Sequence, residues 1–322
     1  MNVGAKLGGF ALVAALVFGG AYGIGQATGA VGTARDVPDR DGHGSSHGDP
    51  HGAAPERTAG ELPAGGLPAG GLQVSQDGYR IDLVSGDAAA GTPEELTFRI
   101  LGPDSAPVTA FTPTHDKPLH LIVVRRDLTS FQHVHPVMSA DGTWRIPLSF
   151  PTAGDYRAFA DFAPEGRSEA ITLGTDVGVA GEYAPAALPA ASRTATVDDY
   201  TVSLAGDLVP GRTSKLTLTA SLAGQPVTDL QPYLAAYGHL VALRDGDLAY
   251  LHVHPDGEPG DGRTRPGPAI TFFATAPSAG DYGLFLDFQH QGVVRTAAFT
   301  ATAGPSPAAP AAEEHGAAGH SH

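Results

Sequence analysis

Histidine is the residue type in this chain whose number and spacing could do chemistry: there are fourteen, against no cysteine and two methionines. Two His-x-His pairs stand out, His133 with His135 and His252 with His254. On a strand, residues i and i+2 point to one face about 6.5–7 Å apart, so each pair can turn both imidazoles to one ion at bond lengths of ~2.0–2.1 Å. Upstream of each pair lies a further histidine, His120 and His239, opening an apolar run. Only residues 126–130 separate the first run from its His-x-His, a spacing that predicts a hairpin and a third nitrogen beside the pair. Asp161 and Asp287, further on, can add a carboxylate or hold a histidine in one tautomer. Without Cys, thiolate chemistry and a blue-copper centre are excluded, and near-absence of Met excludes a Met-rich Cu(I) site. Imidazole and carboxylate favour Cu(II) or Zn(II), with the Irving–Williams order tilting towards copper. The competing reading is a structural network, in which the same histidines pin a hairpin by hydrogen bonding.

These residues recur because the chain repeats itself. His120-Leu-Ile-Val-Val-Arg125 followed by Phe131-Gln-His133-Val-His135-Pro136 matches His239-Leu-Val-Ala-Leu-Arg244 followed by Tyr250-Leu-His252-Val-His254-Pro255. Each histidine is displaced by 119 residues (120 to 239, 133 to 252, 135 to 254). Ala153-Gly-Asp-Tyr156 through Asp161-Phe162 matches Ala279-Gly-Asp-Tyr282 through Asp287-Phe288 with a displacement of 126, so residues were added within 257–268. His115 and His290 have no counterpart and read as exposed loop residues, with a peripheral ligand role as the alternative. Arg125 and Arg244 read as partners of nearby carboxylates.

Around these motifs, short β-branched and aromatic runs alternate with Gly, Pro and Asp turns, the strand pattern. The runs are Tyr79–Val84, Leu96–Leu101, Leu119–Arg125, Phe131–His135, Thr143–Phe150, Tyr156–Phe162 and Glu169–Leu173, then Tyr200–Leu204, Lys215–Ala220, His239–Arg244, Leu248–His252, Ala269–Ala274, Tyr282–Phe288 and Arg295–Thr302. About seven strands in ~100 residues is the immunoglobulin-like signature. The fold class expected is therefore all-β, two tandem immunoglobulin-like or cupredoxin-like β-sandwiches after an N-terminal hydrophobic helix, with disordered tails. The boundaries expected are a signal or anchor over 1–34, a His/Gly/Pro-rich tether over 35–71, repeats at 72–176 and 192–303, a linker at 177–191, and a tail at 304–322. Asp229–Tyr237 could make a single helical turn.

The formal net charge is −15, from 19 basic and 34 acidic side chains. Such acidity argues against a nucleic-acid partner, since nothing would offset phosphate repulsion. No charged residue occurs between Lys6 and Arg35, and Phe10–Phe18 is a compact apolar stretch. This pattern fits export, by a cleaved signal or by a single membrane anchor with the rest of the chain outside. The tether and tail carry His43, His47, His51, His315, His320 and His322, which either bind Cu(II), Zn(II) or Ni(II) weakly or serve as solvated spacer. No phosphate-binding loop, nucleophile elbow or His-Glu-x-x-His occurs, so binding modules are expected rather than an enzyme.

The run His-Leu-x-x-x-Arg, His-Val-His-Pro and Gly-Asp-Tyr-x-x-Phe-x-Asp-Phe, over His120–Phe162 and His239–Phe288, resembles exported bacterial heavy-metal or copper-associated proteins with β domains of the YtkA and CopC type. The resemblance implies periplasmic or cell-surface copper handling; the partners expected are a metal ion and a membrane copper transporter. CopC-type carriers often use an N-terminal His and others use Met-rich sites, and neither pattern is present here. From the residues, the expected ligand sets are His120, His133, His135 with Asp161, and His239, His252, His254 with Asp287. The reading from another class is a structural or adhesive cell-surface protein with tandem sandwiches.

Overall fold

The computed structural model describes residues 69–85, 88–167 and 169–304. The expected N-terminal segment, most of the tether and the C-terminal tail lie outside them. Among the described residues, no helix is long and apolar enough to cross a membrane.

The first repeat comprises β1 (Ser75–Gln76), β2 (Tyr79–Leu83), β3 (Ala88–Ala89), β4 (Pro93–Leu101), β5 (Phe111–Thr112), β6 (Leu119–Arg125), β7 (Gln132–Val134), β8 (Val137–Met138), β9 (Thr143–Ser149), β10 (Gly154–Pro164) and β11 (Ile171–Ala180). The second comprises β12 (Thr194–Val197), β13 (Tyr200–Ala205), β14 (Thr213–Leu222), β15 (Gln225–Pro226), β16 (His239–Arg244), β17 (His252–Pro255), β18 (Ala269–Thr275), β19 (Gly280–His290) and β20 (Val293–Ala303). Among the described residues the chain is all-β and repeated. In the first repeat a β1-β2-β4-β9-β8 sheet faces a β3-β11-β10-β6-β7 sheet, and in the second β12-β13-β14-β18-β17 faces β16-β19-β20. This is the strand order of an immunoglobulin sandwich. Both copies also carry its tyrosine corner: Tyr156 donates its hydroxyl to the Thr152 carbonyl and Tyr282 to the Ser278 carbonyl, each at 2.8 Å.

Alternation along the strands assigns every face. In β6, Leu119, Leu121 and Val123 enter the first core with Phe98, Trp144, Tyr156 and Phe162. Ile122 and Val124 point the other way, yet they too are buried. They meet Val241, Leu243 and Phe285 of the second repeat in a third apolar cluster, which Phe159, Leu128 and Leu248 complete. Equivalent residues are exchanged across this contact. Phe131 stacks on Phe285 at 4.1 Å between ring centres, and Tyr250, the counterpart of Phe131, lies against Phe159, the counterpart of Phe285, at 5.7 Å. The repeats are thus joined face to face with the reciprocity of a two-fold contact.

This contact joins the two repeats through their outward faces. Residues of the expected linker are held: the Asp127 carboxylate accepts the Ala186 amide at 2.8 Å, and Leu188 packs on the third cluster. β11 runs through Gly174 to Ala180, four residues into the expected linker. A Cβ on Gly174 would lie 2.1 Å from the Gly71 carbonyl oxygen and 2.8 Å from the Arg157 guanidinium, so the glycine marks a close backbone approach. Arg157 donates to the carbonyls of Gly71 and Leu72, and Gly70 bridges to Tyr250 of the second repeat, so the end of the expected tether is also fixed.

Two further expectations change. Residues 229–237 form no helical turn, because Leu234 and Ala235 have φ of 51° and 59° and make a tight left-handed turn between Tyr233 and Ala236. The second His-x-His also leaves the hairpin. In the first repeat β7 pairs with β6, placing His133 opposite Ile122. In the second, Leu251 donates its amide to Ala242 and the chain then crosses, so that His252 in β17 pairs with Thr275 of β18. The cause is local: Leu251 stands where the first repeat has Gln132, and its burial in the second core draws the strand to the opposite sheet.

Candidate metal centre between the repeats

The outward faces of the paired strands build the site. His120 and Asp161 are directly opposite each other on β6 and β10, as are His239 and Asp287 on β16 and β19. Parity places all four on the faces that meet between the repeats.

The His120 ring is fixed from outside. Its Nε2–H donates to the Thr114 carbonyl at 2.8 Å, and His239 does the same to the Tyr233 carbonyl at 2.8 Å. Each carbonyl belongs to a two-residue turn with left-handed central residues, His115 and Asp116 (φ 48° and 62°) in the first repeat and Leu234 and Ala235 in the second. Such φ values are strained for residues other than Gly, Asn and Asp, and strain of this kind gathers at sites. His133 is fixed from the other repeat: its Nδ1–H donates to Oδ2 of Asp287 at 2.7 Å, with both side chains about 95% buried. The other carboxylate oxygen of Asp287 accepts from Thr296 Oγ1 at 2.5 Å.

With their outer nitrogens committed, the remaining ones converge. His120 Nδ1 lies 3.1 Å from His133 Nε2 and 3.1 Å from His135 Nε2, and the three nitrogens fall within 4.8 Å of one another. Tetrahedral ligation with bonds of ~2.0–2.1 Å separates ligand nitrogens by about 3.3 Å, and right-angled ligation by about 2.9 Å, so the triad fits one ion. In the tautomer that donates outward, His120 and His133 turn their lone pairs to each other at 3.1 Å, an arrangement that would suit a bound cation. Burial, with the neighbouring histidines, lowers the pKa of His120 to about 4 and that of His135 to about 3, although the Thr114 hydrogen bond partly offsets the shift at His120. Burial likewise lowers His239 to about 4. His120, His135 and His239 therefore stay neutral at pH 7, the form that ligates.

Of the expected ligands, the structure brings His120, His133 and His135 together. Asp161 lines the adjoining cavity of about 80 Å³ with His115, His120, His133 and His239. Asp287 orients His133 of the first repeat instead of joining a ligand set of its own. His254 is exposed on β17, the side chain of His252 lies outside the described ones, and among the described side chains no second group of three converges. Sequence reasoning set His115 aside, yet its ring lies 5.1 Å from that of His239 and 6.2 Å from that of His120. The one hint was its place at a Thr-His-Asp-Lys turn just before His120. His290 is no loop residue: it is buried at the end of β19, between the Tyr200 hydroxyl at 2.7 Å and Asp229 at 3.0 Å. Arg125 and Arg244 pair with Asp127 and Asp247.

Fold and site together define a tandem immunoglobulin-type β-sandwich protein with a half-buried histidine cluster where the repeats meet. The chain belongs to the family described as Domain of unknown function (DUF8832), whose profile matches residues 73–178 and again 195–304. No curated protein matches it. Similar solved structures include invasin, a bacterial integrin-binding protein, at 14% identity over 69% of this chain and 39% of that one, with a TM-score of 0.21. The Escherichia coli adhesin FdeC matches at 16% identity over 70% of this chain and 65% of its own, with a TM-score of 0.23. InvD of Yersinia pseudotuberculosis matches at 14% over 73% and 62%, with a TM-score of 0.24. The chain spans less than two thirds of each, and likeness at this level carries no argument about activity or partners.

Proposed function

We propose that this protein binds a divalent transition-metal ion through His120 Nδ1, His133 Nε2 and His135 Nε2. The observation that carries the reading is the convergence of three ring nitrogens within 4.8 Å, on His120 and His133 with the other nitrogen held by Thr114 and Asp287. Cu(II) is the first candidate and Zn(II) the second, by the nitrogen-only donor set and the Irving–Williams order. With no cysteine and only two methionines in the chain, softer ions lack donors. The setting proposed is extracytoplasmic, by the apolar segment after Lys6, with a membrane copper transporter as exchange partner and no reaction catalysed.

The second reading is the cell-surface module, structural or adhesive, with the histidines as a network that fixes the repeat contact. The names of the similar structures fall on its side more than on the metal's, but at TM-scores of 0.21–0.24 they decide nothing, and the buried His133–Asp287 bond is its physical support.

Calorimetric titration separates the two. In the full chain with His43, His47, His51, His315, His320 and His322 changed to Ala, Cu(II) or Zn(II) should bind with sub-micromolar Kd. Binding should raise stability by about 2.7 kcal/mol at a hundredfold excess over Kd. Adding His133→Ala and His135→Ala should abolish that binding. Binding that survives these changes, or that is absent beforehand, leaves the surface-module reading.

A further inference from the structure

The same cavity holds a second pair of histidines. The rings of His115, from the first repeat, and His239, from the second, are 5.1 Å apart and 81° inclined. Within the triad the corresponding separations are 5.3, 4.9 and 5.0 Å, so the pair is spaced like two ligands of one ion. His239 has its Nε2 committed to the Tyr233 carbonyl, which leaves Nδ1 as its donor, the arrangement by which His120 serves the triad. His115 is exposed on its tight turn and His239 is buried, so the pair reaches from solvent to the cavity wall. The rings of His120 and His133 follow at 6.2 and 6.1 Å.

We infer that His115 and His239 hold a second divalent ion, astride the boundary between the repeats and next to the triad. This rests on the metal reading above and extends it: the cavity takes two ions, the outer one with two ring nitrogens and water. Its volume of about 80 Å³ leaves room for such an ion and a water, whose share of liquid volume is about 30 Å³. Two nitrogens grip more weakly than three, so the outer ion exchanges faster. The site is single, because the turn position equivalent to His115 in the second repeat is Leu234.

The test is stoichiometry in the full chain lacking its six tail histidines, titrated with Cu(II) and, separately, with Zn(II) at neutral pH. Two ions per chain are expected, one tight and one at least tenfold weaker. His115→Leu, which installs the residue the second repeat carries at this turn, should remove the weaker ion and leave the tight one. Two Cu(II) ions held side by side in this cavity should also give a half-field electron paramagnetic resonance signal that His115→Leu abolishes. One ion before and after the change, or two before and after, overturns the inference. If the single ion is lost on His135→Ala, only the second site falls. If no ion binds at all, the triad reading falls with it.

Discussion

Changing Asp287 to Asn tests whether one repeat sets the metal affinity of the other. The carboxylate of Asp287 lies on β19 of the second repeat and accepts the Nδ1–H of His133, a ligand on β7 of the first, at 2.7 Å. Asn retains one oxygen acceptor and nearly the same shape, so the ring can stay in place. What it removes is the negative charge that raises the basicity of Nε2 and fixes the tautomer. Loss of such an outer partner typically weakens metal binding about 10–100-fold, or ~1.4–2.8 kcal/mol at ~1.4 kcal/mol per decade. Thr296→Val, which removes only the hydroxyl that steadies the Asp287 carboxylate at 2.5 Å, should cost about 1 kcal/mol or less. Competition calorimetry against a chelator of known affinity measures both. Circular dichroism and the metal-free Tm establish that the sheets persist. An Asp287→Asn protein that folds normally and binds within twofold of the parent would refute the role given to this carboxylate, and with it the claim that the centre is composite.

Three more outcomes are expected. The metal-free protein should lose stability as pH falls from about 6.5 to 4: buried His120 and His239 have folded pKa values lowered to about 4, so the unfolded chain takes up protons that the folded one refuses. Each can contribute at most ~1.4 kcal/mol per pH unit in that window, and urea midpoints at pH 7.5, 5.5 and 4.5 in the presence of chelator should fall in that order, a flat profile counting against buried neutral rings. Phe285→Ala, which deletes the ring stacked on Phe131, should cost about 3–5 kcal/mol and divide one cooperative urea transition into two, whereas an unchanged single transition would mean that the repeats are coupled elsewhere. Gly174→Ala should lower stability by about 1–3 kcal/mol by driving Arg157 and the Gly71 carbonyl apart, and an unchanged Tm would show that this approach is not tight.

Much of this molecule is written in its sequence in a form that strand periodicity can read. The alternation in Leu96-Thr-Phe98 or Tyr282 to Phe288 gives strands with one face in a core, and the doubled motif gives the repeat. The contact between repeats was also written there, in a different sign. Residues 121–124, Leu-Ile-Val-Val, do not alternate, and an unbroken apolar run in a sandwich strand means that both faces are covered. His120 shares the parity of Ile122 and Val124, so the same run told which way the histidine looks. Other features depend on distant residues. Nothing beside Gly174 in the sequence announces the guanidinium of Arg157 and the Gly71 carbonyl packed against it. The crossing of the second His-x-His to the other sheet turns on a single Leu for Gln exchange at 251. Asp287 could be paired with a histidine of its own repeat by sequence, and only the reciprocal contact of the two sheets gives it to His133.

The most direct measurement is X-ray diffraction from crystals grown with one equivalent of Cu(II) or Zn(II), with data collected on both sides of the metal absorption edge. One dominant anomalous peak should appear between His120 Nδ1, His133 Nε2 and His135 Nε2, about 2.0–2.1 Å from each, with Asp287 still on His133. Fully occupied histidines with no anomalous peak among them, or a peak confined to the surface near His254, would contradict the site.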